Sequence, residues 1–229
     1  MVPASTLQCP VPGIYHSGIG DELLNPANYS ADLRFYLHEE HDLLMRVAPS
    51  YDVIIEAGCN TGIHADAILA LGKKYIGVDV VQRYIDEAKT KHLHFNAQFI
   101  CADICEQELI ARYIHPDKKT LIFFPFNVFG NLKDPLSVLV LLVTHNINFL
   151  ISTYNTTPDT HTIRSNYYES SGFSDLICIY NNTGVRFMTY SGLDSIAYSE
   201  AWFKKQFMQY ERNFVKHPLG TIGKAFMSL

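Results

Sequence analysis

Between residues 52 and 154 short apolar runs alternate with helical stretches, and this alternation limits the fold more than any other feature of the chain. Residues 52–55, 75–78, 98–101, 120–126 and 147–154 read as strands; 63–71, 82–91, 104–113 and 136–144 read as the helices between them. Strands that are each followed by a helix are parallel and buried on both faces. Right-handed crossovers then put helices on both sides of one sheet, and ligands sit beyond its carboxyl ends. The predicted class is α/β, a doubly wound, Rossmann-like sheet of seven strands.

The flanks complete the plan of one domain over residues 1–229. Residues 1–29 are rich in Pro, Gly and Asn and read as an irregular arm. Residues 31–48 read as a helix with Ser30 as N-cap. Its apolar stripe runs through Leu33, Tyr36, Leu37, Leu44 and Val47, and Glu40 and His41 interrupt it. After Tyr154 the rhythm changes. Residues 177–180 and 185–190 are strand-like around Asn181-Asn-Thr-Gly184, a hairpin signal. Residues 198–210 form an amphipathic helix, and 214–217 and 224–227 form two last strands. The chain thus divides into an arm and helix (1–50), a ligand-binding half (51–157), an inserted β-hairpin cap (158–196) and a final helix with two strands (197–229).

Composition excludes several classes. Charged residues are 18% and hydrophobic ones 48%, which suits a packed core rather than disorder. Net charge is −5, with no run of Lys and Arg, which argues against a nucleic-acid partner. No apolar run reaches the roughly 20 residues of a membrane span, and the first residues lack a signal-peptide pattern; the expectation is a cytoplasmic protein without a membrane partner. Five dispersed cysteines, Cys9, Cys59, Cys101, Cys105 and Cys178, do not suggest a disulfide scaffold. Cys101 and Cys105 lack a second pair to complete a zinc set. His38 and His41 are one residue too close for His-Glu-x-x-His and read as a solvated helix face, so no metal is expected.

The chemistry begins at residues 51–66, Tyr-Asp-Val-Ile-Ile-Glu-Ala-Gly-Cys-Asn-Thr-Gly-Ile-His-Ala-Asp. A strand runs into Glu56, then Gly58, Cys59, Asn60 and Gly62, then a helix. Gly58 lets backbone pass close to a ligand, and Asn60 tolerates a left-handed conformation. His64 follows at the helix start and reads as exposed. The loop resembles the Glu/Asp-x-Gly-x-Gly-x-Gly signature of class I S-adenosylmethionine-dependent methyltransferases, departing from it at Asn60. A second acid, Asp79, ends the next strand at the spacing of a ribose ligand. Asp103 stands just past the third, before Ile104. Each acid could also be an ordinary helix N-cap.

The resemblance implies S-adenosylmethionine as cofactor, held by Glu56, Gly58, Cys59, Asn60, Gly62, Asp79, Val80, Asp103, Ile104 and Phe124. In that family the loop after the fourth strand borders the reacting methyl group. Here it reads Phe124-Pro-Phe-Asn-Val-Phe-Gly-Asn-Leu132, similar to the small-molecule, glycine N-methyltransferase-like branch. Asn127 is its candidate catalytic residue, by hydrogen bonding to the acceptor or only by shaping the turn. Tyr15, Tyr29 and Tyr36 of the arm and helix are candidates to approach the sulfonium, Tyr36 more as a core residue; Tyr15 is the second catalytic candidate. His161, Arg164, Tyr167 and Tyr168 lie in the insertion, read as surface before acceptor contacts. No general base is fixed by the sequence. The expectation is methyl transfer to nitrogen or oxygen of a small-molecule acceptor. RNA or protein methylation, or a non-catalytic cofactor-binding subunit, are the alternatives.

Overall fold

The computed structural model describes residues 13–228 except 17, 115, 116 and 211. Cys9 and the rest of the arm before residue 13 lie outside the described residues. The chain opens with α1 (Gly13–His16), two 3-10 turns (Ile19–Leu24 and Pro26–Asn28) and the long helix α2 (Ala31–Val47). The alternating part follows: β1 (Val53–Ala57), α3 (Ala65–Ala70), β2 (Lys74–Asp79), α4 (Gln82–Lys91), β3 (Ala97–Cys101), α5 (Gln107–Tyr113), β4 (Thr120–Phe124), α6 (Pro135–Thr144) and β5 (Asn148–Tyr154). Then come α7 (Pro158–Ser170), β6 (Ile177–Asn181), β7 (Gly184–Met188), β8 (Asp194–Tyr198), α8 (Glu200–Met208), β9 (Phe214–Leu219) and β10 (Gly223–Ser228).

Seven strands make one sheet in the order β3-β2-β1-β4-β5-β10-β9. The first five are mutually parallel, and β10 runs antiparallel between β5 and β9. Because side chains alternate along a strand, each central strand feeds two cores. Ile54, Leu121, Phe123 and Leu150 pack with Leu33, Leu44 and Ile68 of α2 and α3. Val53, Ile55, Ile122, Phe124 and Ile151 pack on the other face with Val138 and Leu142 of α6 and Phe203 and Phe207 of α8. Each such side chain adds about 1.5–3 kcal/mol when withdrawn from water, so both faces are firmly covered and the loops at the strand ends stand on a rigid base.

Ser30 caps α2 as expected, its hydroxyl accepting from the Leu33 amide at 3.2 Å. The cap differs from the expected hairpin. It is a helix, α7, with a three-stranded antiparallel sheet, β6-β7-β8. The hairpin at Asn181–Gly184 is present, but α7 has no aliphatic stripe to announce it: Pro-Asp-Thr-His-Thr-Ile-Arg-Ser-Asn-Tyr-Tyr-Glu-Ser. Its signal is the start, where the Thr157 side chain accepts from the Thr160 amide ahead of Pro158. Tyr198 ends β8 rather than starting the next helix, which begins after the Ser199 cap. Among the described residues no helix is long and apolar enough to cross a membrane.

Candidate active site

At the carboxyl end of β1 the chain turns through Gly58 (φ 67), Asn60 (φ 51) and Gly62 (φ 83). Gly58 and Cys59 both donate backbone N–H bonds to the Val78 carbonyl, at 2.7 and 3.1 Å. These bonds tie the loop to β2. A Cβ on Gly58 would stand 2.7 Å from Cγ2 of Val128, in the loop after β4, and one on Gly62 would stand 2.8 Å from Nε2 of His92. The two glycines therefore serve different ends: Gly58 lets the neighbouring loop approach the cavity wall, and Gly62 lets His92 and Phe99 pack behind. We expect Gly58→Ala to destabilise the protein by at least about 1 kcal/mol through its positive φ. Val128→Ala in the same chain should recover only the contact part, as read by thermal melts of the single and double variants.

Asp79 is the anchor of this loop. Its Oδ2 accepts from the Asn60 amide and its Oδ1 from the Val81 amide, both at 2.9 Å. Burial raises its carboxyl above the usual range, against these hydrogen bonds. Asp103 accepts from the Cys105 amide at 2.9 Å. Both acids thus do the local work of a turn or cap, and both also line one large cavity.

Glu56 is fully buried. One oxygen meets Nδ1 of His64 at 2.7 Å and the other accepts from the Tyr75 hydroxyl at 2.5 Å. His64 is therefore not the exposed residue expected from sequence. Burial pushes its pKa down, but the Glu56 charge more than reverses this and the net direction is up. His41 stacks on His64 with ring centroids 5.8 Å apart. Glu40, the other interruption of the α2 stripe, is 1% exposed and accepts from the Phe126 amide at 2.8 Å. Burial drives its carboxyl up to about 7. His41, expected on a solvated helix face, instead lines the cavity beside Glu40, and a charge on a buried stripe is the sequence signal for both.

A raised carboxyl favours the folded state while it is protonated. The Glu40 contribution is therefore full below about pH 4.5, the ordinary glutamate value, and is lost as pH rises to about 7. The span corresponds to roughly 3 kcal/mol. We expect Glu40→Gln to melt at a temperature less dependent on pH between 5 and 7.5 than the parent; parallel profiles would contradict this origin.

The loop after β4 holds two successive non-glycine residues at positive φ, Phe126 (43) and Asn127 (61). Such a pair persists only where the surroundings fix it. Glu40 holds the Phe126 amide from one side. Asn127 is 1% exposed, accepts from Thr153 Oγ1 at 2.6 Å and donates to Ser195 Oγ at 3.1 Å. Its amide thus links the loop, β5 and the cap strand β8. The turn-shaping role weighed for Asn127 is visible in this geometry, and the residue also lines the cavity.

The cavity measures about 980 Å³. Its floor is made by Glu56, Gly58, Asn60, Asp79, Val80, Asp103 and Ile104 at the ends of β1, β2 and β3. Asn127 joins from the β4 loop and Tyr15 from the arm. Burial, then the Asp79 charge, holds the Tyr15 phenol well above its ordinary value, so it stays neutral at physiological pH. Cys59, Gly62 and Phe124 sit behind this wall instead: Cys59 packs against Gly77, Gly62 against His92, and Phe124 against Phe129 with ring centroids 5.5 Å apart. Tyr29, Tyr167 and Tyr168 line the far side, while Tyr36 is fully buried in the core as read. Arg164, Tyr167 and Tyr168 are buried, not surface. Among the described residues no cluster of three or more His, Cys, Asp or Glu could hold a metal.

Residues 54–135, which carry the glycine loop, both acids and the β4 loop, match the family described as a methyltransferase domain. These residues form a methyltransferase domain, and the whole chain has the fold of class I S-adenosylmethionine-dependent methyltransferases. Solved structures of this methyltransferase's fold include magnesium protoporphyrin IX methyltransferase from Synechocystis PCC 6803 with bound S-adenosylmethionine. It is 10% identical, with a TM-score of 0.62, and the alignment covers 100% of this chain and 99% of that one. The Burkholderia thailandensis 1,6-didemethyltoxoflavin-N1-methyltransferase, solved with 1,6-didemethyltoxoflavin and S-adenosylhomocysteine, is 11% identical, with a TM-score of 0.50 over 96% and 90% of the two chains. The CcbJ methyltransferase from Streptomyces caelestis is 12% identical, with a TM-score of 0.54 over 83% and 93%. No curated protein matches the methyltransferase in sequence. These neighbours do not specifically support the glycine N-methyltransferase-like branch.

Proposed function

We propose that this methyltransferase transfers the methyl group of S-adenosylmethionine to a nitrogen or oxygen of a small-molecule acceptor. The observation that carries the reading is that the cavity is walled on three sides, by sheet loops, arm and cap. Sheet loops form its floor, the arm contributes Ile14, Tyr15 and Leu23, and the cap contributes Tyr167, Tyr168 and Ser195. A polymer needs an open cleft, and a nucleic acid also a basic face; net charge here is −5.

The residues on the floor fit the cofactor. Gly58 presents no side chain, Asp79 offers carboxylate lone pairs beyond its two amide bonds, and Asp103 beside Ile104 pairs an acceptor for an exocyclic amine with an apolar cover. When bound, S-adenosylmethionine supplies a methyl group already activated by its sulfonium. The protein's part is then to place the acceptor in line and keep water out. Tyr15 and Asn127 border that space. Glu40, buried on the same wall with a pKa of about 7, is the group suited to take a proton from an acceptor that arrives protonated.

The test is incubation of the protein with methyl-labelled S-adenosylmethionine and a small-molecule extract, followed by mass spectrometry. Label in a low-mass product is the expected result. Label only in RNA or protein would overturn the reading, and cofactor binding with no labelled product in any fraction would indicate a binding subunit.

A further inference from the structure

Arg164 of α7 is 1% exposed, and no carboxylate of the described residues lies within ion-pair distance of it. Its guanidinium lies 4.6 Å from the ring centroid of Tyr154 and 4.8 Å from that of Phe187. Nη1 donates to the Val185 carbonyl at 3.1 Å, and Nη2 to the Tyr168 hydroxyl at 3.1 Å and the Ser195 carbonyl at 3.3 Å. Its Nε is buried without a partner. The other acid of this wall, Glu40, already has the Phe126 amide and the His64 charge. A buried cation with neutral partners alone is costly, and here it leaves uncompensated positive charge behind the cap side of the cavity.

Counting protons gives that charge a direction. The Tyr168 hydroxyl and Ser195 Oγ are 3.2 Å apart, and both residues line the cavity. Tyr168 receives Arg164, and Ser195 Oγ receives Asn127 Nδ2 at 3.1 Å and Arg164 Nη2 at 3.4 Å. The pair has two hydroxyl protons. One bridges the two oxygens; the other has no acceptor among the described residues, whichever hydroxyl carries it.

We infer that Arg164, Tyr168 and Ser195 form a binding site for a negatively charged oxygen of the acceptor, a carboxylate or phenolate. The leftover proton supplies the hydrogen bond and the guanidinium behind it supplies the charge. Charge-assisted hydrogen bonds of this kind are roughly twice as strong as neutral ones. Tyr29, Phe126, Tyr154 and Tyr167 around it suit a flat apolar body. This assignment rests on the methyl-transfer reading for its meaning, although the anion preference itself is measurable without cofactor.

The probes are phenylacetate and phenylacetamide, equal in shape and different in charge, titrated by ligand-observed NMR with and without S-adenosylhomocysteine. We expect the wild type to bind the carboxylate at least ten times more tightly than the amide. Tyr168→Phe and Ser195→Ala should each reduce that ratio several-fold, Arg164→Met should bring it to about one, and Arg164→Lys should keep part of it. The ratio separates a binding role from a packing role, because loss of packing weakens both probes alike. Equal binding of the two probes by the wild type, or an unchanged ratio in the folded Tyr168 and Ser195 variants, overturns the site. A wild type that ignores S-adenosylhomocysteine but prefers the carboxylate overturns the cofactor reading and leaves this one standing.

Discussion

Asp79→Ala is expected to weaken S-adenosylhomocysteine binding at least a hundredfold and to lower the melting temperature in the same protein. The first effect follows from the ribose contact proposed for this carboxylate. Two hydrogen bonds to a charged group are worth about 1.5–3 kcal/mol each, and a hundredfold is about 2.7 kcal/mol. The second follows from what the carboxylate already holds: without it the Asn60 and Val81 amides lose their acceptors, and an unpaired buried donor such as the Val81 amide costs about 1–3 kcal/mol. An analogue lacking both ribose hydroxyls separates the two causes. It should bind the parent poorly and bind Asp79→Ala with little further loss. If calorimetry shows the analogue penalised equally in both proteins, Asp79 acts on the loop alone.

Asn127→Ala should produce the other large change, a loss of kcat/KM of about a hundredfold with much less effect on S-adenosylhomocysteine affinity. Alanine at φ 61 costs about 1–2 kcal/mol more than a residue that accepts the left-handed region. The change also strips the Thr153 and Ser195 hydroxyls of their partner. We expect about 2–4 kcal/mol of lost stability, centred on the loop that faces the acceptor. Asn127→Gly relieves the backbone and keeps the hydrogen-bond loss. Its recovery of melting temperature without recovery of turnover is the predicted pattern. Full recovery of both would show that Asn127 only accommodates the turn.

The regular half of the fold was legible because its signals are local. Strands buried on both faces are written as apolar runs, and Gly58, Asn60 and Gly62 carry a backbone demand that few residues meet. Asp79 and Asp103 stand at strand ends, where position alone suggests a ligand. The rest depended on contacts distant in sequence. Glu40 reaches Phe126 across 86 positions, and nothing near Glu40 announces that partner. His64 gave no sign of burial, because the rings that pack on it, His41 and Phe123, come from distant α2 and β4. The helix α7 was missed for a different reason. Its buried face is made of Thr160, Arg164, Tyr167 and Tyr168, polar-tipped residues that an aliphatic pattern search passes over.

The arm is fastened toward α4 and toward α7. Asp21 pairs with Arg83 of α4 at 2.5 Å, and the Leu23 carbonyl accepts from Tyr167 of α7 at 2.5 Å. The ion pair is exposed and by itself worth at most about 1 kcal/mol, but the Tyr84 hydroxyl also donates to Asp21 and Arg83 to the Tyr15 carbonyl; the α7 contact is buried and has Leu23 packed beside it. The Asp21–Arg83 pair is the part of this fastening that salt screens. Exchange of S-adenosylhomocysteine is therefore expected to quicken as ionic strength rises, and an exchange rate indifferent to salt would show that the buried contacts alone set it.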